Sequence, residues 1–470
     1  MEMSSLKENK MGVQPIGRLL FKMALPMALS MLVQAFYNVV DSAYVAQISD
    51  TNQDALNAVS MAFPVQNIMI GGATGISVGV NALLSRALGQ RDQKTVNTSA
   101  TNGMFLILIG MVICALFGVF GGEAFMRSQT HNPHVIAYGT QYIRIITLCS
   151  LFIFGELIFE RLLQSTGRTG YTLITQGTGA VINILLDPLF IFGWGPIPRM
   201  EVAGAAVATV IGQFVAFVLA LILNLKKNPE VQLSFKGFTP DWKLCGRIMG
   251  IAIPSIIMVA IGSVMYYLFN IILMRYEAVQ VGLGEDATAV FGAYFKLQSF
   301  VFMPVFGINN AALAIAAYNY GAQKPKRIMQ TIRCGAVGAM TLMLIGITIF
   351  QLFPEQLLGF FNADDGMKEV GIPALRTLCL PFIAAGPCII FSGVFQALGK
   401  SVYSLIVSIA RQIVILLPAA FLLSMTGVVD AVWFAFPIAE VMSLLVSVVM
   451  ILTLYRKKIK PLYAISENKA

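Results

Sequence analysis

The sequence predicts an all-α integral membrane protein of twelve transmembrane helices, arranged as two six-helix lobes related by pseudo-twofold symmetry along the membrane normal. Three observations carry that prediction. The 470-residue chain is 57% hydrophobic and only 12% charged. Its apolar runs are long enough to cross a bilayer, which takes about 20 residues each. It also repeats itself after half its length. So apolar a composition excludes a soluble enzyme. The formal charge of +9 comes from Lys and Arg placed between apolar runs, a pattern of membrane orientation and not of nucleic-acid binding. The six cysteines are scattered without C-x-x-C spacing, so free thiols are expected and no zinc site.

In chain order, residues 1–18 are polar with no cleavable signal pattern, and read as a cytoplasmic N-terminal segment. Six apolar spans follow near 19–45, 58–84, 97–121, 137–162, 170–193 and 202–224, giving an N-lobe over 19–225. The charged stretch 226–245 reads as a cytoplasmic inter-lobe linker. Six more spans lie near 247–274, 287–318, 331–353, 371–397, 402–425 and 430–455, giving a C-lobe over 246–455 and a cytoplasmic tail over 456–470. Turn clusters such as Gly89-Gln90-Arg91-Asp92 and Gly321-Ala322-Gln323-Lys324-Pro325 separate them. Counting alternate loops as inner places 24 of the 32 Lys and Arg on one side. The positive-inside rule then puts both termini in the cytoplasm of a plasma-membrane protein.

The repeat is explicit. Gln164-Ser165-Thr166-Gly167-Arg168 returns as Gln396-Ala397-Leu398-Gly399-Lys400, 232 residues on, and Gly89 returns as Gly321 at the same offset. Pro26 and Pro254 differ by 228. Six helices per half is an even number, so the halves insert in the same orientation with a central cleft expected between them.

Where the repeat loses symmetry, function is the better explanation of a polar residue. Asp187 aligns with Ala419, Asn183 with Ile415 and Asp41 with about Phe269. Asn183 and Asp187, at i and i+4, share a helix face. With about 1.5 Å of rise per residue, Asp41, Asp187 and Thr209 all lie roughly 10–14 Å below the same membrane surface. Carboxylates at that depth are costly unless they share a proton, bind a cation or meet water. Asp41, Asn183, Asp187 and Thr209 are therefore the expected cation-coupling set for Na+ or H+, and the only metal expected is Na+ held there. Asn38, one turn before Asp41, is a further candidate ligand; Tyr37 and Gln34 follow on the same helix.

Other polar residues carry weaker expectations. Lys296 either faces the cleft or snorkels. Arg411 and Glu440 reach similar depth on consecutive helices, as a structural ion pair would. Glu156, Glu160 and Arg161 approach the inner end of the fourth helix as an interfacial network. Met61, Met69, Met258, Met265 and Met303, with Gln34, Gln66 and Lys296, are the candidate substrate cleft, since flexible thioethers suit many ligand shapes. Gly75-Ile76-Ser77-Val78-Gly79 fits a nucleophile-elbow pattern but lies inside a span, so no hydrolase is expected. Gly71, Gly75 and Gly79 instead read as a ladder for close helix approach. No Walker lysine motif appears, so an ion gradient is the expected energy source.

The stretch Pro26 to Asp41, ending Tyr37-Asn38-Val39-Val40-Asp41, the two Gln-x-x-Gly turns, and Asn183-Ile184-Leu185-Leu186-Asp187-Pro188 resemble the bacterial MATE (multidrug and toxic compound extrusion) transporters. Phe302-Met303-Pro304 and Val202-Ala203-Gly204-Ala205-Ala206 extend the resemblance over nearly the whole chain. It implies the MATE fold and a monomeric secondary transporter, not an enzyme, with no cofactor beyond Na+ or H+ as coupling ion. It further implies antiport that exports cationic amphiphilic drugs by rocker-switch alternating access, with Tyr142 as support to the cation site. The partners implied are small amphiphilic molecules and membrane lipid, with no nucleic acid. The alternative from the same superfamily is a flippase for lipid-linked or polysaccharide precursors, which predicts more basic residues in the cleft.

Overall fold

The computed structural model describes residues 9–48, 54–196, 198–361 and 363–467, and is helical throughout, with no β-sheet among them. The spans are α1 (Ile16–Ala46), α2 (Asp54–Gln90), α3 (Gln93–Phe120), α5 (Gly170–Phe192), α6 (Val202–Lys227), α7 (Trp242–Met274), α8 (Leu283–Gly321) and α9 (Pro325–Leu352). Two spans are bent pairs. In α4, Pro133–Leu148 and Ser150–Ser165 meet at 47°; in α10, Asp365–Leu378 and Phe382–Ala397 meet at 52°. Span α11 runs Ser401–Ser424 with a π-helical middle, Ala410–Leu416, and α12 lies within Val429–Ile465. Among the described residues ten helices are long and apolar enough to cross a membrane, and counting each bent pair as one span brings the number to twelve.

The repeat is present in the backbone itself. Gly167 (φ 80°) and Gly399 (φ 71°) take the left-handed conformation that ends a helix at low cost for glycine. The same two bonds close both turns: Gly167 N–H to Gln164 O at 2.9 Å and Gly399 N–H to Gln396 O at 3.0 Å, then Arg168 to Leu163 and Lys400 to Phe395, both 2.7 Å. Arg91 (φ 59°) and Gln323 (φ 57°), two of the three non-glycine residues described with positive φ, also stand 232 apart. The bent spans α4 and α10 begin at Pro133 and Asp365, again 232 apart.

Packing divides the chain into two compact units, Leu29–Ile256 and Lys10–Ala28 with Ile257 onward. Both divisions fall inside helices, α1 and α7, and not in the 226–245 stretch. The reason is local. The segment before α1 is tied within the second unit: Asn319 Nδ2 donates to Met11 O at 3.0 Å, Lys324 Nζ to Gly12 O at 2.9 Å and Arg327 Nη2 to Gln14 O at 2.6 Å. The segment before α7 is tied within the first unit. Gln93 Nε2 donates to Glu230 O at 2.8 Å, Asn97 and Asn102 accept from the Gln232 and Asp241 amides at 3.0 and 2.9 Å, and Arg168 pairs with Glu230 at 2.9 Å. The start of α7 then lies against α2, where a Cβ on Gly79 would fall 2.6 Å from Ile248 O. The predicted glycine ladder thus admits a helix at Gly75 and Gly79.

Candidate functional site

In the first unit α5 and α6 pack backbone to backbone. A Cβ on Gly212 would sit 2.8 Å from Gly179 O and 3.2 Å from Asn183 Cβ, so only glycine there lets the two polar helices meet. That contact brings Asn183, Asp187 and Thr209 together. The Asn183 amide fits with its nitrogen donating to Asp187 at 3.3 Å and its oxygen accepting from Thr209 Oγ1 at 3.3 Å. Asp187 is fully buried, and the carboxylate of Asp41 on α1 is near enough to repel it. Asp41 Oδ1 is buried with no hydrogen-bond partner. Tyr37 and Tyr142 lie in the field of both acids, and Tyr142 Oη reaches Gln66 Oε1 at 3.4 Å. The side chain of Asn38 lies outside the described residues.

Beside this set lies a cavity of about 60 Å³, lined by Gln34, Tyr37, Asn183 and Thr209 from the predicted residues and by Glu156, Gln176 and Gln213 besides. Glu156 thus faces a cavity, whereas its neighbour Glu160 is held in place: Thr175 Oγ1 donates to it at 2.6 Å and Gln176 Nε2 at 2.8 Å. Gln176 Oε1 is buried without a partner. Sequence reasoning passed over Gln176 and Gln213, which are lone amides in apolar helices. Two orphaned acceptors and two buried carboxylates with no basic side chain in the cavity lining form an oxygen-rich, electronegative site that fits a hard monovalent cation or a proton.

Among the candidate cleft residues, Met69 lies in the hydrophobic core of the first unit and Met265 is buried in the second. Met61, Gln66, Met258 and Met303 are half-buried. Lys296 is exposed, with its ammonium 5.8 Å from the Phe361 ring centre, a cation–π contact. In the second unit Arg411 Nη1 meets Glu440 Oε2 at 3.3 Å, as expected of a pair. The cysteines are free.

Fold and repeat together define a multi-pass membrane protein made of two equivalent helical units. A family model, MatE, matches residues 26–189 and 254–422, and the chain belongs to that family of membrane transporters. Among curated relatives, a Shewanella oneidensis protein named FAD transporter is 27% identical over 91% of this chain and 92% of its own length. A Staphylococcus aureus protein named multidrug export protein MepA is 23% identical over 89% of this chain and 90% of its own. Among solved structures, the outward-facing conformation of a multidrug resistance MATE family transporter superposes with a TM-score of 0.89 at 23% identity, covering 98% of this chain and all of that one. A MOP superfamily transporter from Pyrococcus furiosus gives 0.88 at 23%, covering 98% of this chain and 99% of that one. At such identity these structures establish the shared fold.

Proposed function

We propose that this chain is a cation-coupled antiporter that exports amphiphilic compounds, cationic drugs among them, with Na+ or H+ entering at Asp41, Asn183, Asp187 and Thr209. The observation that carries the reading is Asp41 Oδ1, a buried carboxylate oxygen with no partner, beside fully buried Asp187. A cation or proton offsets the charge of these acids; without one, they repel. Substrate and cation then favour different conformations, and each displaces the other through a population shift. A flippase for anionic precursors needs bases along its path; the cavity lining of the first unit has none, so that cavity favours the cation reading.

The test is transport in proteoliposomes with Na+ and pH gradients imposed separately. Export driven by one gradient, and lost in Asp41→Asn protein that still folds into the membrane, supports the reading; undiminished efflux in that variant sinks it. A second reading, export of a flavin dinucleotide, is favoured by the name of the Shewanella oneidensis relative, and it needs a basic group in the substrate path.

A further inference from the structure

The 232-residue offset also runs backwards. Arg411 aligns with Gly179, Gln412 with Ala180 and Cys388 with Glu156, all three of which line the first-unit cavity; Glu440 aligns with Ala208, next to Thr209. The second unit therefore carries its own polar cluster at the place where the first has its cavity. Glu440 and Gln412 are buried there, and the Ser443 and Ser447 hydroxyls face the Cys388 thiol.

Arg411 lies ten residues into α11, about 15 Å from its start, in the π-helical segment Ala410–Leu416. Such π-bulges concentrate at functional sites. Its side chain is 32% exposed, that of Glu440 only 10%. A closed structural pair joins two guanidinium nitrogens to two carboxylate oxygens. Here a single bond forms, at 3.3 Å. Among the described residues it is the only hydrogen bond Arg411 makes, so four of its five N–H donors are not taken up by it. Glu440 Oε1 is buried without a hydrogen-bond partner. Contact with hydrocarbon is costly for an arginine at mid-span, which favours water or a polar ligand against its exposed part.

From this geometry we infer that Arg411, oriented from behind by Glu440, is a subsite in the second unit for a phosphate group on a transported amphiphile. The planar fork of guanidinium donors matches phosphate oxygens. The neutral Arg411–Glu440 pair keeps the empty site tolerable at this depth. Lipid phosphates lie about 15 Å from the bilayer midplane and do not reach it. The inference rests on the chain being an exporter, and it stands apart from cation coupling at Asp41.

The experiment compares flavin adenine dinucleotide with riboflavin, which carries the same ring system without phosphate, and with a cationic dye, for binding and export by the full chain in proteoliposomes. Wild-type protein is expected to bind the dinucleotide more tightly than riboflavin. Arg411→Gln should weaken the dinucleotide roughly tenfold or more, the scale of a charged hydrogen-bonded contact, and leave riboflavin and dye within about twofold. Glu440→Gln, which removes the competing negative charge and keeps an acceptor for Arg411, should strengthen dinucleotide binding. Arg411→Gln paired with Glu440→Gln removes both charges, and serves if the single variant misfolds around an unpaired Glu440. Equal losses for all three ligands make the pair a structural one and overturn the inference. So does a wild-type protein with no preference for the dinucleotide, and dye export driven by a cation gradient would in that case leave the coupling site standing.

Discussion

The two units share a backbone and differ in what it carries. Their turns match at Gly167 and Gly399 and at Arg91 and Gln323, and their bent spans differ by only 5°. At the same depth, however, the first unit places two acids with no basic side chain in the adjacent cavity lining, while the second places an acid against Arg411. Turn geometry is held by backbone requirements that only certain residues meet, so it survives duplication. Cavity chemistry is held by what passes through, so it diverges.

The largest expected effect comes from forcing the second unit toward the first. Ala419 is half-buried and aligns with Asp187, but its neighbour by the same offset is Ile415, where the first unit has Asn183. Ala419→Asp should therefore destabilise the protein by about 2.5–3.5 kcal/mol, the insertion cost of a mid-span acid. The measurement is thermal unfolding in detergent, read as a Tm shift. A wild-type Tm would mean that Asp187 needs no purpose-built neighbours, and the contrast between the units would lose its physical basis.

A smaller effect tests whether the repeat is equivalent where it looks equivalent. Alanine at Gly167 or at Gly399 must hold positive φ, at about 1–2 kcal/mol in either case. The two variants should lose Tm by the same amount. A large difference would show that one turn is held by its surroundings and not by its own bonds.

How much of this was legible beforehand follows from the same contrast. The spans, the offset and the carboxylate set could be read because hydropathy, spacing and an i,i+4 pair are properties of the chain alone. Gln176 and Gln213 could not, since a single amide in an apolar helix carries no periodic signal. Nor could the division of α1 and α7 between units, which depends on side chains such as Asn319, Arg327 and Asn102 reaching residues far away in sequence. The burial of Met69 and Met265 carries no periodic signal of its own, because a thioether serves a core as well as a binding surface. The Arg411–Glu440 pair was legible as two opposite charges at similar depth on consecutive helices, whereas its place opposite Gly179 appears only when the 232-residue offset is read from the second half to the first.

The smallest effect lies at the ends of α3 and α9, where the repeat starts both helices with different chemistry. Asp92 caps α3, accepting from Thr95 N–H at 3.0 Å and from its hydroxyl at 2.5 Å, and these bonds hold its carboxyl below the ordinary aspartate range. Its counterpart, Lys324, makes no side-chain cap on α9; Pro325 supplies the first-turn conformation instead, and the ammonium is spent on Gly12 O. Asp92→Ala should cost about 1 kcal/mol, the usual worth of an N-cap. A group whose pKa is depressed by folding adds stability above its unfolded pKa of about 3.9, and that stability fades as pH falls through the folded value. The Tm difference between wild type and Asp92→Ala should therefore be constant near neutrality and shrink below about pH 4. Lys324→Ala should show no such change, because its side chain makes no cap on α9 for pH to remove. A cap difference that persists unchanged at pH 2 would assign the stability of this turn to packing and remove the electrostatic contrast between the two helix starts.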